Sequence, residues 1–361
     1  MSGAAALRPT ADRADRVRMR EATERVARID GAARLRGAAV CFGLGLLALV
    51  CGAGVLVTGA YAIEPERLGE ALSGTGGAGF VLWRLRTPRL LLGLLVGAAF
   101  GLSGALLQPT LRNPLASPDI LGISGGASAG ACFAVLMLGA GGAGASLGAL
   151  AGGAAAACAI MLLSRTPPGF RTAQASRILL VGVAVASLSA STVGFLLARA
   201  DERAAQQALG WTVGGLARAE WESIGVLAAG LAILAPAARC CAPGVRLLGC
   251  GEQLARGLGV RVERTRTGAV LVAVGLASLA TAAAGPVSFV AFLSAPIARR
   301  LVGHGSIALG ASAITGAVIV LGAELAAQNL LPGGMPAGIV TAVLGAPVLL
   351  WLVATRRAAG A

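Results

Sequence analysis

Between Arg89 and Arg112 the chain reads LLLGLLVGAAFGLSGALLQPTL, with no charge anywhere in the run. About twenty apolar residues are what a helix needs to cross the hydrocarbon core of a bilayer. Gly93, Gly97 and Gly101 recur every four residues along it. That spacing strips one helical face of side chains, so a second helix can approach the backbone closely, as in the small-xxx-small contacts of membrane helices. The pattern predicts a helix inside a bundle, away from lipid.

Nine further apolar runs accompany this one, giving spans at 38–60, 88–108, 119–139, 142–163, 177–199, 221–239, 267–284, 286–302, 307–327 and 338–354. A 361-residue chain that is 56% hydrophobic and 13% charged, with mean hydropathy +0.80, has too little polar surface for a soluble globule of that size. The expected fold is all-α: a polytopic membrane protein of about ten transmembrane helices. All its basic side chains are arginine, and with the N-terminus inside, 23 of the 30 fall in the tail and inner connections. The excess of arginine on one side places both termini in the cytoplasm and the chain in the cytoplasmic membrane. The net charge of +14 is thus explained by basic loops, since only 4% of residues are aromatic and the charge is split between apolar runs. Residues 1–37 are expected to form a basic cytoplasmic tail, flexible or lying as a helix on the surface. Residues 38–355 form the transmembrane domain and 356–361 a cytoplasmic C-terminus.

Several chemistries are excluded. Without lysine there is no Walker A loop and no Schiff base. The one histidine, His304, sits in a loop between Gly303 and Gly305 and is read as solvated. The seven cysteines show no CxxC spacing and read as small buried hydrophobes. Ser124 and Ser294 have no histidine or lysine nearby to make either a nucleophile, so no catalytic residue and no metal ligand is assigned.

Four stretches carry the functional reading. Arg84, Arg86 and Arg89 lie on the side where the charge rule disfavours cations, so they either meet an acidic partner or snorkel to headgroups. After Gln108-Pro109 comes the tight polar connection LRNPLASPD, in which Ser117-Pro118 reads as an N-cap followed by proline at the first helical position. Gly122, Gly125, Gly126 and Gly130 follow; they either border a water-filled path or pack against a neighbouring helix. The long inner connection 240–266 contains CGEQLARGLGV, whose Leu254 and Leu258 stand one helical turn apart. A short amphipathic helix there is a docking knob for a soluble protein or else a solvated loop. Intramembrane acids are few, Glu324 and Asp119, which disfavours a self-powered carrier, though Glu324 is the ion site if the chain is one.

The segments RTPR (86–89), SGALLQPTLRNPLASPDILGISGGASAGA (103–131), CGEQLARGLGV (250–260), AAGPVSFVAFLSAPIARRLVG (283–303) and MPAGIVTAVLGAP (335–347) resemble, in order, those of the FecCD family. These are permease subunits of ferric-siderophore, haem and vitamin B12 ATP-binding-cassette importers. The resemblance spans roughly residues 40–355. It implies a vitamin B12 importer permease-like bundle that pairs with a second permease, as a homodimer or heterodimer. The further partners implied are two cytoplasmic ATPases, which use ATP and Mg, and a periplasmic or lipid-anchored binding protein. This chain itself is expected to bind no cofactor. By position, Arg86 and Arg89 resemble the arginines that dock the binding protein. Gly251, Glu252, Leu254, Ala255, Arg256, Leu258 and Gly259 resemble the coupling helix that rests on the ATPase. Gly93, Gly97, Gly101, Gln108, Asn113 and Pro114 resemble the core helix beside the translocation pathway. Three positions depart from the pattern: Ala295-Pro296 where a Pro-His pair is common, Gly334 where an acid is common, and Gln328 where an arginine is common. The implied substrate is a ferric siderophore, with haem and cobalamin as alternatives.

Overall fold

The computed structural model describes residues 8–59, 65–164, 174–303, 307–331 and 335–358, and within these all side chains except those of 8–30, 65, 68, 174–175 and 351–358. His304 and Gly334 lie outside the described residues. Every regular element among the described residues is helical: α1 (Arg8–Val57), α2 (Leu68–Ser73), α3 (Gly76–Phe80), α4 (Thr87–Thr110), α5 (Ile123–Leu138), α6 (Gly142–Leu163) and α7 (Gln174–Arg199). There follow α8 (Glu202–Thr212), α9 (Trp221–Cys250), α10 (Glu252–Gly257), α11 (Val262–Ala284), α12 (Val290–Val302), α13 (Leu309–Asn329) and α14 (Ala337–Ala358).

Each of the ten apolar runs has its helix. Seven are long and apolar enough to cross a membrane, among them Gly31–Val57 within α1 and Gly76–Thr110 running through α3 and α4. Shorter apolar helices occupy Ile123–Leu138 and Ala337–Leu350, and the tenth run is α12. The centre of the bundle is α4, α11 and α13, with α4 buried along most of its length. The outer helices leave apolar side chains uncovered, as at Phe42 and Leu46 of α1, Leu180 and Phe195 of α7 and Ile233 of α9.

The reason α4 goes to the centre is its glycines. A Cβ on Gly97 would overlap the backbone of Gly316 and Ala317, one on Gly101 the carbonyl oxygen of Ser312, and one on Gly104 the carbonyl oxygen of Ala291. In the opposite direction, a Cβ on Gly316 would overlap Gly97 O. Here α4 and α13 cross backbone against backbone. A second crossing of this kind joins α5 to α6, where Gly126 and Gly130 face Gly148 and Gly152. Ser103 adds a hydrogen bond from α4 to α11, its Oγ donating to Ala273 O at 2.7 Å.

Five boundaries differ from the sequence reading, each for a physical reason. The second span starts at Gly76, because α3 passes into α4 through a π-helical stretch, Val81–Arg86, that keeps Arg84 and Arg86 within the helix. The third starts at Ile123: Ser117 Oγ does accept from Ile120 N, at 3.4 Å, but the turn it caps is cut off from α5 by Gly122 at φ 73°. The sixth runs on to Cys250, helical through Pro236 and Pro243, so the inner connection expected at 240–266 shrinks to 251–261 around α10. The eighth begins only at Val290, since Gly285 and Phe289 both adopt positive φ. The backbone of 8–37, read as a tail, is helical and continuous with the first span.

Candidate functional site

The polar residues that the sequence singles out gather in three groups at the two ends of α4, whose 24 residues span about 36 Å.

At its N-terminal end, Arg86 is 6% exposed, and its guanidinium Nη1 donates to the carbonyls of Leu56 and Val57. Those are the last residues of α1, whose final carbonyls have no intrahelical donor. Arg86 therefore caps α1, turned inward by the carbonyls it satisfies. Arg84 is exposed and Arg89 half-buried. Arg89 lies within electrostatic reach of Glu324, which is buried in α13 and accepts a 2.6 Å hydrogen bond from Gln328 Nε2. Asn329 Nδ2 donates to Thr58 Oγ1 at 3.0 Å, closing the junction of α13 with α1. Glu324 thus sits among polar partners at the end of the bundle.

At the C-terminal end of α4, Gln108 performs a task that the sequence did not announce. Pro296 in α12 has no N–H, so the carbonyl four residues earlier, Phe292 O, loses its helical donor. Gln108 Nε2 donates to that oxygen at 3.1 Å, while Arg299 donates to Gln108 Oε1 and fixes the amide's orientation. The remainder of α12 is held just as specifically. Asp119 Oδ2 accepts from Phe289 N at 3.3 Å and its Oδ1 accepts from Ser124 Oγ at 2.6 Å. Arg36 Nε donates to Leu301 O, 2.9 Å away, at the far end. Asn113 Oδ1 accepts from Leu115 N at 2.8 Å, a side-chain turn that carries the chain past Pro114 toward Asp119. Gly93, Gly97 and Gly101 lie in helix contacts, Gly93 against Leu216 and Leu321. Gly122 packs on Ala186 of α7 and Gly125 on Ser189. All of these glycines are packing positions here.

The third group is α10, at the same end as Gln108, where Gly249 lies beside Pro109. Gly251 at φ 130° and Gly259 at φ 82° turn the chain into and out of this short helix. Ala255 is fully buried against Leu248 and Val262, and Glu252 pairs with Arg266 of α11 and, at 3.4 Å, with Arg256. Leu254 and Leu258 are left 54% and 59% exposed. An apolar pair on a helix anchored from behind forms a projecting knob.

The helical bundle centred on a glycine-packed helix is that of a multi-pass membrane protein, and the proteins it matches make it a permease subunit of the ATP-binding-cassette importer class. The chain belongs to the FecCD transport family, whose model matches residues 46–355. It is 36% identical to the ferric enterobactin transport system permease protein FepG of Escherichia coli K12, covering 84% of this chain and 92% of that one. Against the vitamin B12 import system permease protein BtuC of Klebsiella pneumoniae the identity is 35%, covering 88% and 94%. A solved chain described as a metal-chelate type ABC transporter in an inward-facing conformation superposes with a TM-score of 0.76 at 25% identity, covering 88% of this chain and 99% of that one.

Proposed function

We propose that this chain is the gate of an importer that moves a ferric siderophore across the cytoplasmic membrane, driven by a separate ATPase. The observation that carries the reading is the knob: α10 is fixed from behind by Ala255 and Glu252 and presents Leu254 and Leu258 to a soluble partner. Exposed apolar side chains rimmed by charge are the usual mark of such a contact. With no lysine, the sequence holds no Walker A loop. ATP binding and hydrolysis in the partner shift the helices between inward and outward openings, because a ligand with different affinity for two states moves their balance.

A ferric chelate as cargo is supported by the similarity to the ferric enterobactin permease and to the metal-chelate type transporter. At the outer end, Arg84 and Arg89 are the cations left to meet an acidic binding protein, Arg86 being engaged with α1. Both termini lie in the cytoplasm, and a second permease completes the pair.

The test is reconstitution of the chain with its genomic ATPase and binding protein in vesicles. ATP-dependent uptake of a ferric siderophore is expected. Leu254→Glu with Leu258→Glu lowers ATPase co-purification at least tenfold, and Arg89→Glu weakens binding-protein docking without affecting ATPase assembly. Uptake of cobalamin or haem in place of the siderophore would move the cargo assignment. Retention of the ATPase by the double leucine variant would remove the knob from the interface.

A further inference from the structure

Resting on the transport reading above, we infer that Arg266 is a positioning residue that fastens the coupling knob to the centre of the bundle. A six-residue helix has no stability of its own. Among its own side chains, α10 buries only the methyl group of Ala255 in the apolar cluster beneath it, with Leu248 and Val262. Its other attachment is Glu252, in its first turn, which pairs with Arg266 one turn into α11. The two side chains are 2% and 12% exposed, Arg266 the deeper, whereas Arg256, the other partner of Glu252, is 48% exposed and adds little. A guanidinium held this deeply has one arrangement and not many, which makes the pair a strut in place of a loose surface contact.

The strut leads inward. Seven residues along α11, about 10 Å at helical rise, Ala273 O accepts the hydrogen bond from Ser103 Oγ of α4. Two residues before Ser103 is Gly101, which meets α13 backbone to backbone. A displacement of α10 is therefore passed through Arg266 to α11, and from α11 to the central pair. Without the strut, α10 can tilt about Gly251 and Gly259 while α11 stays put.

The experiment compares uptake with ATP hydrolysis in the same vesicles, using the chain assembled with its ATPase and binding protein. Their ratio is the readout, because a loss of folded protein alone lowers both together and leaves it unmoved. Arg266→Met is expected to lower uptake per ATP at least tenfold, and Glu252→Gln, which keeps an acceptor oxygen but no charge, at least threefold. The exchanged pair, Glu252→Arg with Arg266→Glu, recovers the ratio to within threefold of wild type. Where Arg266→Met does not assemble, Arg266→Lys takes its place, with a threefold loss expected. Wild-type ratios in the single variants, or an exchanged pair no better than they are, overturn the strut. A wild-type assembly without ATP-linked uptake overturns the transport reading together with it, whereas a coupled wild type with equally coupled variants overturns this inference alone.

Discussion

Gly316 and Gly322 lie six residues apart on α13, and replacing each by alanine separates packing from helix propensity. At Gly322 an added Cβ meets nothing within 4 Å; at Gly316 it overlaps Gly97 O and comes within 2.9 Å of that residue's carbonyl carbon. The first substitution costs no contact and gains the helical preference of alanine over glycine, about 1 kcal/mol. The second drives a methyl group into a backbone that has no flexible side chain to yield, so the cost sits near the upper end of the overpacking range, about 3 kcal/mol. The helical gain is common to both substitutions, so they differ by the packing cost alone, about 3 kcal/mol, which at about 2 °C per kcal/mol for a long chain puts the midpoints roughly 6 °C apart. Purified chain in detergent is heated in steps, and the monodisperse fraction is followed by size exclusion. Gly316→Ala is expected to melt well below wild type and Gly322→Ala at or above it. Two variants melting within about 1 °C of each other would refute a backbone-to-backbone crossing of α4 and α13.

Gln108→Leu leaves Phe292 O without a donor and Arg299 without its amide partner, and is expected to cost about 1–3 kcal/mol in the same melting assay. Arg86→Ala exposes the last carbonyls of α1 to apolar surroundings, so it lowers the midpoint by several degrees, whereas the exposed Arg84→Ala changes it by less than about 1 °C. Glu324→Gln, an amide beside Gln328 and Arg89, leaves ATP-driven uptake within about threefold of wild type, about 0.7 kcal/mol; abolished uptake together with a lost ion dependence would favour a secondary carrier.

The apolar runs and the glycine register were legible in the sequence because both are local: a run fixes a helix, and Gly93, Gly97 and Gly101 fix which of its faces can meet another backbone. The knob at 250–260 was legible for the same reason, its leucines being one turn apart. What escaped depends on partners far along the chain. The inward turn of Arg86 is decided by carbonyls about thirty residues earlier in α1, and the task of Gln108 by a proline at position 296. In the sequence the sixth span ends at 239, where arginines and a polar connection begin, yet α9 continues through Pro243 to Cys250, with Val245 and Leu248 buried. The outer helix α8 went unseen because it is short; its one fully buried side chain, Ala208, packs on Cys132 and Leu196.

The crossing of α4 and α13 has a consequence for how such a gate can move. Where side chains interlock, neighbouring helices shift by exchanging rotamers, a cheap and gradual adjustment. Peptide planes in direct touch offer no such freedom, so the contact favours α4 and α13 moving together as one piece. The chain is jointed instead by residues at positive φ, Gly285 and Phe289 ahead of α12 and Gly122 ahead of α5.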